Sequence, residues 1–292
     1  MSDTATVVDL GFPACIAREF PREFPIAWHV ASEMLTTIAA SDLAPLARRS
    51  PGLRGYDWTE YLRCSVVRMV RVLSALNRHV PAGGRVLDVG AYFGNFANAC
   101  ARAGYQVDAI DAYREYAPAF DACIARMTAE RISVLDFADA GDGLGRLPEQ
   151  SYDAILCLGV VEHVPHTPRV LLDALRRLLA PGGLLVIDTP NTAYLYNRQK
   201  LARGQTVMVP LEVLYDTELP FEGHHREYTV DEVRWLIDRL QLELVTIETF
   251  NYSIYSMRTL AGEHLDNYRR MQRDPSMREV IFAAARRSSA AG

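Results

Sequence analysis

The 292-residue chain is most quickly placed by what it lacks. Its five cysteines, Cys15, Cys64, Cys100, Cys123 and Cys157, are scattered and form no CxxC pair. That excludes a disulfide framework or a zinc ribbon and points to reduced thiols in a cytosolic protein. No spacing marks any of them as a nucleophile. The chain has no run of about 18 apolar residues, so no segment is expected to span a membrane. Its start, MSDTATVVDLGFPAC, has no basic segment leading into an apolar one, so no secretory leader is expected. Positive charge is not in excess: the formal net charge is -5, and no nucleic-acid partner is expected. Internal repeats and low-complexity tracts are also missing. What remains is 49% apolar and 23% charged, the composition of a globular protein large enough for one sizeable domain with an appendage.

Residues 1–22 read as irregular, broken by Pro13 and Pro21. A helix is expected over Ala27–Ala40, then a loop, SPGLRGYD. Leu62, Val66, Met69, Val70, Leu73 and Leu76 share one helical face, and PAGG at Pro81 to Gly84 closes that helix. This predicts a helical N-terminal lid or extension over 1–80 and a second domain over 81–292. In the second part strands and helices alternate. RVLDVG, YQVDAID, ISVLDF, YDAILCLGV and LLVIDTP read as strands, and NFANACARAG and EYAPAFDACIARM as helices. A further helix carries Leu171, Leu175, Leu178 and Leu179 and stops at Pro181. After an irregular stretch over 191–228, TVDEVRWLIDRL reads as a helix capped by Thr229, and ELVTIETFNY and EVIFAAARR as strands. Nearly all-apolar strands separated by helices imply an α/β fold, doubly wound around a mostly parallel sheet.

The stretch from Arg85 to Asp111 combines a strand, a glycine turn, a helix and a second strand ending in an acid. Gly90 and Gly94 let the backbone turn sharply and approach a ligand. Asp111 is placed to accept hydrogen bonds from a ribose diol. Asp88 stands before the first glycine, where it would repel a pyrophosphate and suit a ligand bearing an amino group and positive charge. S-adenosyl-L-methionine (SAM) has those groups, a ribose and no phosphate. A dinucleotide-binding domain with a degenerate turn is the competing reading, but nothing in the chain resembles a hydride-transfer site.

From about Gly84 to Arg287 the chain resembles a class I SAM-dependent methyltransferase. VLDVGAYFGNFA, Asp111, LDFAD, YDAILCLGVVEHVPH and PGGLLVIDTPN are similar to five of that family's motifs, in order. The resemblance implies a seven-stranded sheet whose last strand is antiparallel. It also implies a cofactor cradle of Asp88, Gly90, Tyr92, Gly94, Asp111, Ala112, Asp136, Phe137, Leu158 and Gly159. Tyr92 departs from the pattern, standing where the family usually has a glycine.

Methyl transfer to an alcohol needs a base, because a neutral hydroxyl is a poor nucleophile. The candidates are His163, His224 and His225, with Glu162, His166 and Glu227 beside them. Glu162, His163 and a later histidine also resemble the metal site of small-RNA 2′-O-methyltransferases. Gly159 replaces the first acid of that E-x-x-E-H pattern, so no metal is expected. Asp188 and Asn191 read as a chain-reversing turn or as acceptor-side groups. Tyr56, Trp58, Tyr61, Tyr194 and Tyr196 line an acceptor pocket or form a small core. The expected function is SAM-dependent methylation of a small molecule, at oxygen in preference to nitrogen or carbon. The alternatives are a divalent-metal-assisted O-methyltransferase of sugar or ribose hydroxyls and a SAM-fold binding protein that transfers nothing. A cytoplasmic location is expected.

Overall fold

The computed structural model describes residues 6–49, 51–137, 140–218, 220, 221 and 223–289. The chain opens with a short strand, β1 (Val8–Asp9), and the helices α1 (Ala14–Glu19), α2 (Phe24–Ala39), α3 (Ala44–Arg49) and α4 (Trp58–His79). The next elements are β2 (Arg85–Val89), α5 (Asn95–Arg102), β3 (Gln106–Asp111), α6 (Asp121–Ala129), β4 (Ser133–Asp136), α7 (Ala140–Gly145), β5 (Tyr152–Leu158), α8 (Arg169–Leu178) and β6 (Leu179–Pro190). The last part contains α9 (Leu195–Ala202), α10 (Leu211–Asp216), α11 (Val230–Arg239), β7 (Glu243–Phe250), β8 (Thr259–Leu260), α12 (Gly262–Arg273) and β9 (Val280–Arg286).

Seven strands form one sheet in the order β4-β3-β2-β5-β6-β9-β7. β9 lies antiparallel between β6 and β7, and the four pairings from β4 through β6 are parallel. The expected α/β class, sheet and antiparallel final strand are all present. Strand residues alternate between the two faces, as a pleat requires. Val86, Ala154, Leu156, Leu184 and Val186 join the core under α2, α4 and α5. Leu87, Val89, Ile155, Cys157, Leu185 and Ile187 join the core under α8 and α11. Ala27, Val30 and Met34 of α2 and Leu62, Val66, Met69 and Leu73 of α4 belong to the first of these cores, so both helices rest on the sheet's own hydrophobic layer.

Three expectations need correction. Residues 1–22 are not irregular throughout: β1 pairs antiparallel with β8, and α1 follows Pro13. That pairing joins residues some 250 positions apart (8 and 260), which no local pattern can reveal. EYAPAFDACIARM is not one helix. Pro118 has no N–H to donate and disfavours a helical residue before it, so a 3₁₀ turn at Tyr113–Tyr116 gives way to α6 from Asp121. The stretch 191–228 contains α9 and α10. Leu195 of α9 joins Ile254, Leu260, Leu265 and Met271 in a small third core, with Tyr194 and Tyr196 packed against it. α11 begins as expected, with Thr229 and Glu232 forming a reciprocal capping box. Among the described residues no helix is long and apolar enough to cross a membrane.

Candidate active site

The carboxyl ends of β2, β3, β5 and β6 converge on one edge of the sheet. Asp88 is opposite Leu156, Asp111 opposite Asp136, and Leu158 opposite Asp188. β2 ends in the glycine turn. Gly90 has φ +71, and a Cβ there would collide with the Val160 side chain. Gly94, at φ +78, is the N-cap of α5, and a Cβ there would strike Met127. Tyr92, the unexpected residue of this turn, also adopts positive φ. Its ring packs against Phe93, Phe120 and Trp58, with centroids 4.2, 5.1 and 6.1 Å away. The strain of a positive-φ side chain is thus offset by aromatic packing that ties the turn to the start of α4.

The same turn orients Asp111. The Tyr92 N–H donates to its Oδ2 and the Ala112 N–H to its Oδ1, each at 2.7 Å. Both oxygens are thereby fixed at the turn, and a carboxylate is the acceptor that a ribose diol needs. Asp88 is 1% exposed, and its Oδ2 has no partner. Burial, reinforced by the nearby Asp111 charge, pushes its carboxyl up to about 7. The buried Asn95 also leaves its Nδ2 unsatisfied. Orphaned buried polar atoms are costly, and a cationic, hydroxyl-bearing nucleoside fits a cradle that contains them beside a diol-directed carboxylate.

Asp136 is held by Arg114, through its N–H at 3.1 Å and its Nε at 2.6 Å. The Phe137 N–H bonds the Asp111 carbonyl at 3.0 Å, and its ring packs under Arg146. Ala138 and Asp139, the end of the LDFAD motif, lie outside the described residues.

β5 ends at Leu158 and Gly159, whose N–H donates to the Asp188 carbonyl at 3.0 Å. A Cβ on Gly159 would lie 3.2 Å from Arg68 Nη2 and 3.7 Å from Glu162 Oε1. Glu162, only 2% exposed, accepts from Thr189 Oγ1 at 3.0 Å. Burial pushes its carboxyl up to about 7. Its carbonyl accepts the His225 and Arg226 N–H groups at 2.7 and 3.3 Å, which staples the loop before α11 onto the end of β5. That staple delivers His224 to His163, the rings nearly perpendicular with centroids 4.7 Å apart. One donor atom from each of Glu162, His163 and His224 lies within 4.8 Å of the others. His224 Nδ1 bonds Glu227 Oε1 at 2.8 Å. Burial alone would lower the pKa of His224, but the Glu227 bond and the Glu162 charge outweigh it and hold it above the ordinary histidine value. Of the three candidate bases the structure therefore unites His163 and His224. His225 turns into its own loop, its Nε2 bonding the Phe221 carbonyl at 3.1 Å.

One buried ion pair at this sheet edge went unread in the sequence. Arg68, on α4, binds Asp188 through Nε at 2.8 Å and Nη2 at 2.7 Å. Its only signal is an arginine amid the apolar face of α4. Asp188 is therefore an ion-pair partner and not a turn cap, while Asn191 does make a turn, accepting the Ala193 N–H at 3.0 Å.

A family model described as a methyltransferase domain matches residues 58–247. Curated relatives named ubiquinone biosynthesis O-methyltransferase are similar over shorter spans. One from Xanthomonas oryzae pv. oryzae is 38% identical over 112 residues, 38% of this chain and 44% of its own length. One from Xylella fastidiosa is 36% identical over 122 residues, 41% of this chain and 47% of its own. The chain thus spans less than half the length of these curated relatives. Among solved structures, magnesium protoporphyrin IX methyltransferase from Synechocystis with bound SAH superposes with a TM-score of 0.54 at 14% identity, over 84% of this chain and 98% of that one. A SAM-dependent methyltransferase from Archaeoglobus fulgidus gives 0.50 at 20% identity, over 79% and 100%. At such identities the likeness is one of fold.

Proposed function

The chain belongs to the class I SAM-dependent methyltransferases, and from that premise we propose that it methylates an oxygen of a small-molecule acceptor, with His224 as the base. The observation that carries this reading is the 2.8 Å bond from His224 Nδ1 to Glu227. A carboxylate only accepts, so Nδ1 carries the hydrogen and the neutral ring keeps its lone pair at Nε2. The name of the curated relatives supports oxygen as the accepting atom.

Bound SAM supplies a methyl group on a positively charged sulfur. The residues do the rest. Asp111 would receive the ribose and fix the cofactor's direction, while Asp88 and Asn95 would offer it their unpartnered Oδ2 and Nδ2 beside the glycine turn. His224 takes the acceptor's hydroxyl proton at Nε2 as the new oxygen–carbon bond forms and the sulfur keeps the electrons of the bond it loses. Glu227 stabilises the imidazolium that results, and its bond keeps the ring oriented for the next turnover. His224→Ala should lower kcat by about 10²–10⁴-fold, with partial recovery at high pH, where the acceptor ionises unaided, and with SAM affinity unchanged. Full activity of this variant on an acceptor that the wild type methylates would remove His224 from the role.

A second reading has its own observation, the three donors of Glu162, His163 and His224 within 4.8 Å. With Glu227 behind His224 this is the arrangement that outer carboxylates give metal-bound histidines. If a divalent ion sits there, chelator should abolish turnover and Mg²⁺ or Mn²⁺ should restore it, and Glu162→Gln should be as damaging as His224→Ala. Chelator-resistant turnover decides for the base.

A further inference from the structure

Asp88 is a carboxyl in a core position. It is in register with Ala109 of β3 and Leu156 of β5, and Leu156 is in register with Val186 of β6. All three partners are fully buried in the core under α2, α4 and α5. Residues in register across a sheet share a face, so Asp88 belongs to that layer. α5 brings two more buried polar residues to it, Asn95 and Asn98. Asn98 Nδ2 donates to the Gly94 carbonyl at 2.7 Å. Asp88 Oδ2, Asn95 Nδ2 and Asn98 Oδ1 have no hydrogen-bond partner among the described residues. Two residues before Gly90, the chain thus buries a carboxyl with one bare oxygen.

The charges around it do not compensate it. Asp111 and Asp188 lie two residues beyond Ala109 and Val186, on the same sheet face. Arg68 is the nearby cation, and it gives both Nε and Nη2 to Asp188. Cys100, Cys157 and Tyr113 complete the titratable surroundings, and burial raises all three far enough to keep them neutral. Burial and the Asp111 charge outweigh the Ala97 N–H and the pull of Arg68, and they push the Asp88 carboxyl up to about 7. An enclosed carboxyl placed among like charges is better neutral than ionised. A cofactor with positive charge reverses that balance, because it favours the anion.

We propose that Asp88 couples cofactor binding to proton release: it carries a proton in the cofactor-free protein and gives it up when SAM binds. The O–H bond of the carboxyl breaks, its electron pair stays on the oxygen, and the proton goes to the buffer. The coupling needs only SAM in the cradle. It involves neither His224 nor an oxygen acceptor. SAM affinity then depends on pH. Below about 7 binding has to drive the proton off, and above that value the carboxylate is already present.

The test uses the full chain and SAM itself. Calorimetry at pH 6 in two buffers of different ionisation enthalpy counts the protons exchanged. Wild type should release close to one proton per SAM, and its affinity should tighten by on the order of tenfold from about pH 5.5 to pH 7. Glu162→Gln, which removes the other raised carboxyl of this edge, should release the same. Asp88→Asn should release none, and its affinity should be flat over that range. Infrared spectra carry the assignment even if Asp88→Asn binds SAM too weakly for calorimetry. A protonated-carboxyl band of cofactor-free wild type at pH 6 should be missing from cofactor-free Asp88→Asn, and SAM should remove it from wild type. SAM that binds wild type without proton release, release that survives Asp88→Asn, or identical carboxyl bands in the two cofactor-free proteins overturns the coupling. No binding of SAM to wild type overturns both the cradle and the coupling.

Discussion

Replacing Asp188 by alanine should unfold this protein more readily than any other single change at the sheet edge. The Arg68 side chain is 9% exposed and that of Asp188 1%, so both charges are out of water and each depends on the other. Truncation removes bonds of 2.8 and 2.7 Å and strands a guanidinium in the interior. Two charge-assisted hydrogen bonds at about 1.5–3 kcal/mol each, or a buried pair broken at about 3–5 kcal/mol, give the same range. The expected loss is about 3–5 kcal/mol, a drop in melting temperature on the order of 10 °C. The assay is denaturant unfolding, where the midpoint should fall with little change in slope. The paired change Arg68→Met with Asp188→Leu should recover most of the loss, because apolar groups of similar volume replace a buried ion pair at little cost. A single variant within about 1 kcal/mol of wild type, or a double variant as unstable as the single, would refute the reasoning.

Two further outcomes concern the cofactor cradle. Asp111→Ala should weaken SAM binding by at least roughly tenfold in calorimetry, since it removes a charged acceptor for two hydroxyls, worth about 1.5–3 kcal/mol; unchanged affinity would show that the ribose lies elsewhere. Asp88 has a folded value of about 7 against an ordinary 3.8, because it is buried. The folded protein therefore holds that proton where the unfolded chain has released it, and stability is present at low pH and lost as pH rises through about 7. The loss is bounded by about 4 kcal/mol, from roughly three units at 1.36 kcal/mol each. Asp88→Asn lacks this titration, so its stability relative to wild type should climb between pH 4 and pH 8. A difference that stays flat over that window would mean that the Asp88 carboxyl is not held protonated.

The strand, turn and helix of the candidate cofactor cradle were legible because they are local. A glycine turn, a helix and an acid 23 residues after Asp88 (111 − 88) occupy one continuous stretch, and each feature is dictated by its own backbone position. The sheet was legible for a similar reason: apolar strands of four to eight residues between helices leave little choice of topology. The acceptor half was not. His224 and His225 are adjacent in sequence, yet one meets His163 and the other its own loop. The difference is set by which N–H groups reach the Glu162 carbonyl. Arg68 and Asp188 are 120 positions apart, and only the packing of α4 over the end of β6 brings them together.

Gly159 shows how these non-local facts settle a local ambiguity. In the sequence it is only a missing acid, the vacant first position of an E-x-x-E-H pattern. In the structure a Cβ at this position would lie 3.2 Å from Arg68 Nη2, so a carboxylate grown from it would compete with Asp188 for the guanidinium. A first acid at 159 and an Arg68–Asp188 pair are therefore alternatives for one space. This chain has the pair: α4 carries the arginine, β6 carries its aspartate, and β5 ends in the residue that keeps out of their way. The unread arginine thus accounts for both the burial of Asp188 and the absence of an acid at 159. Any ion bound by Glu162, His163 and His224 would have to complete its shell without a ligand from the end of β5.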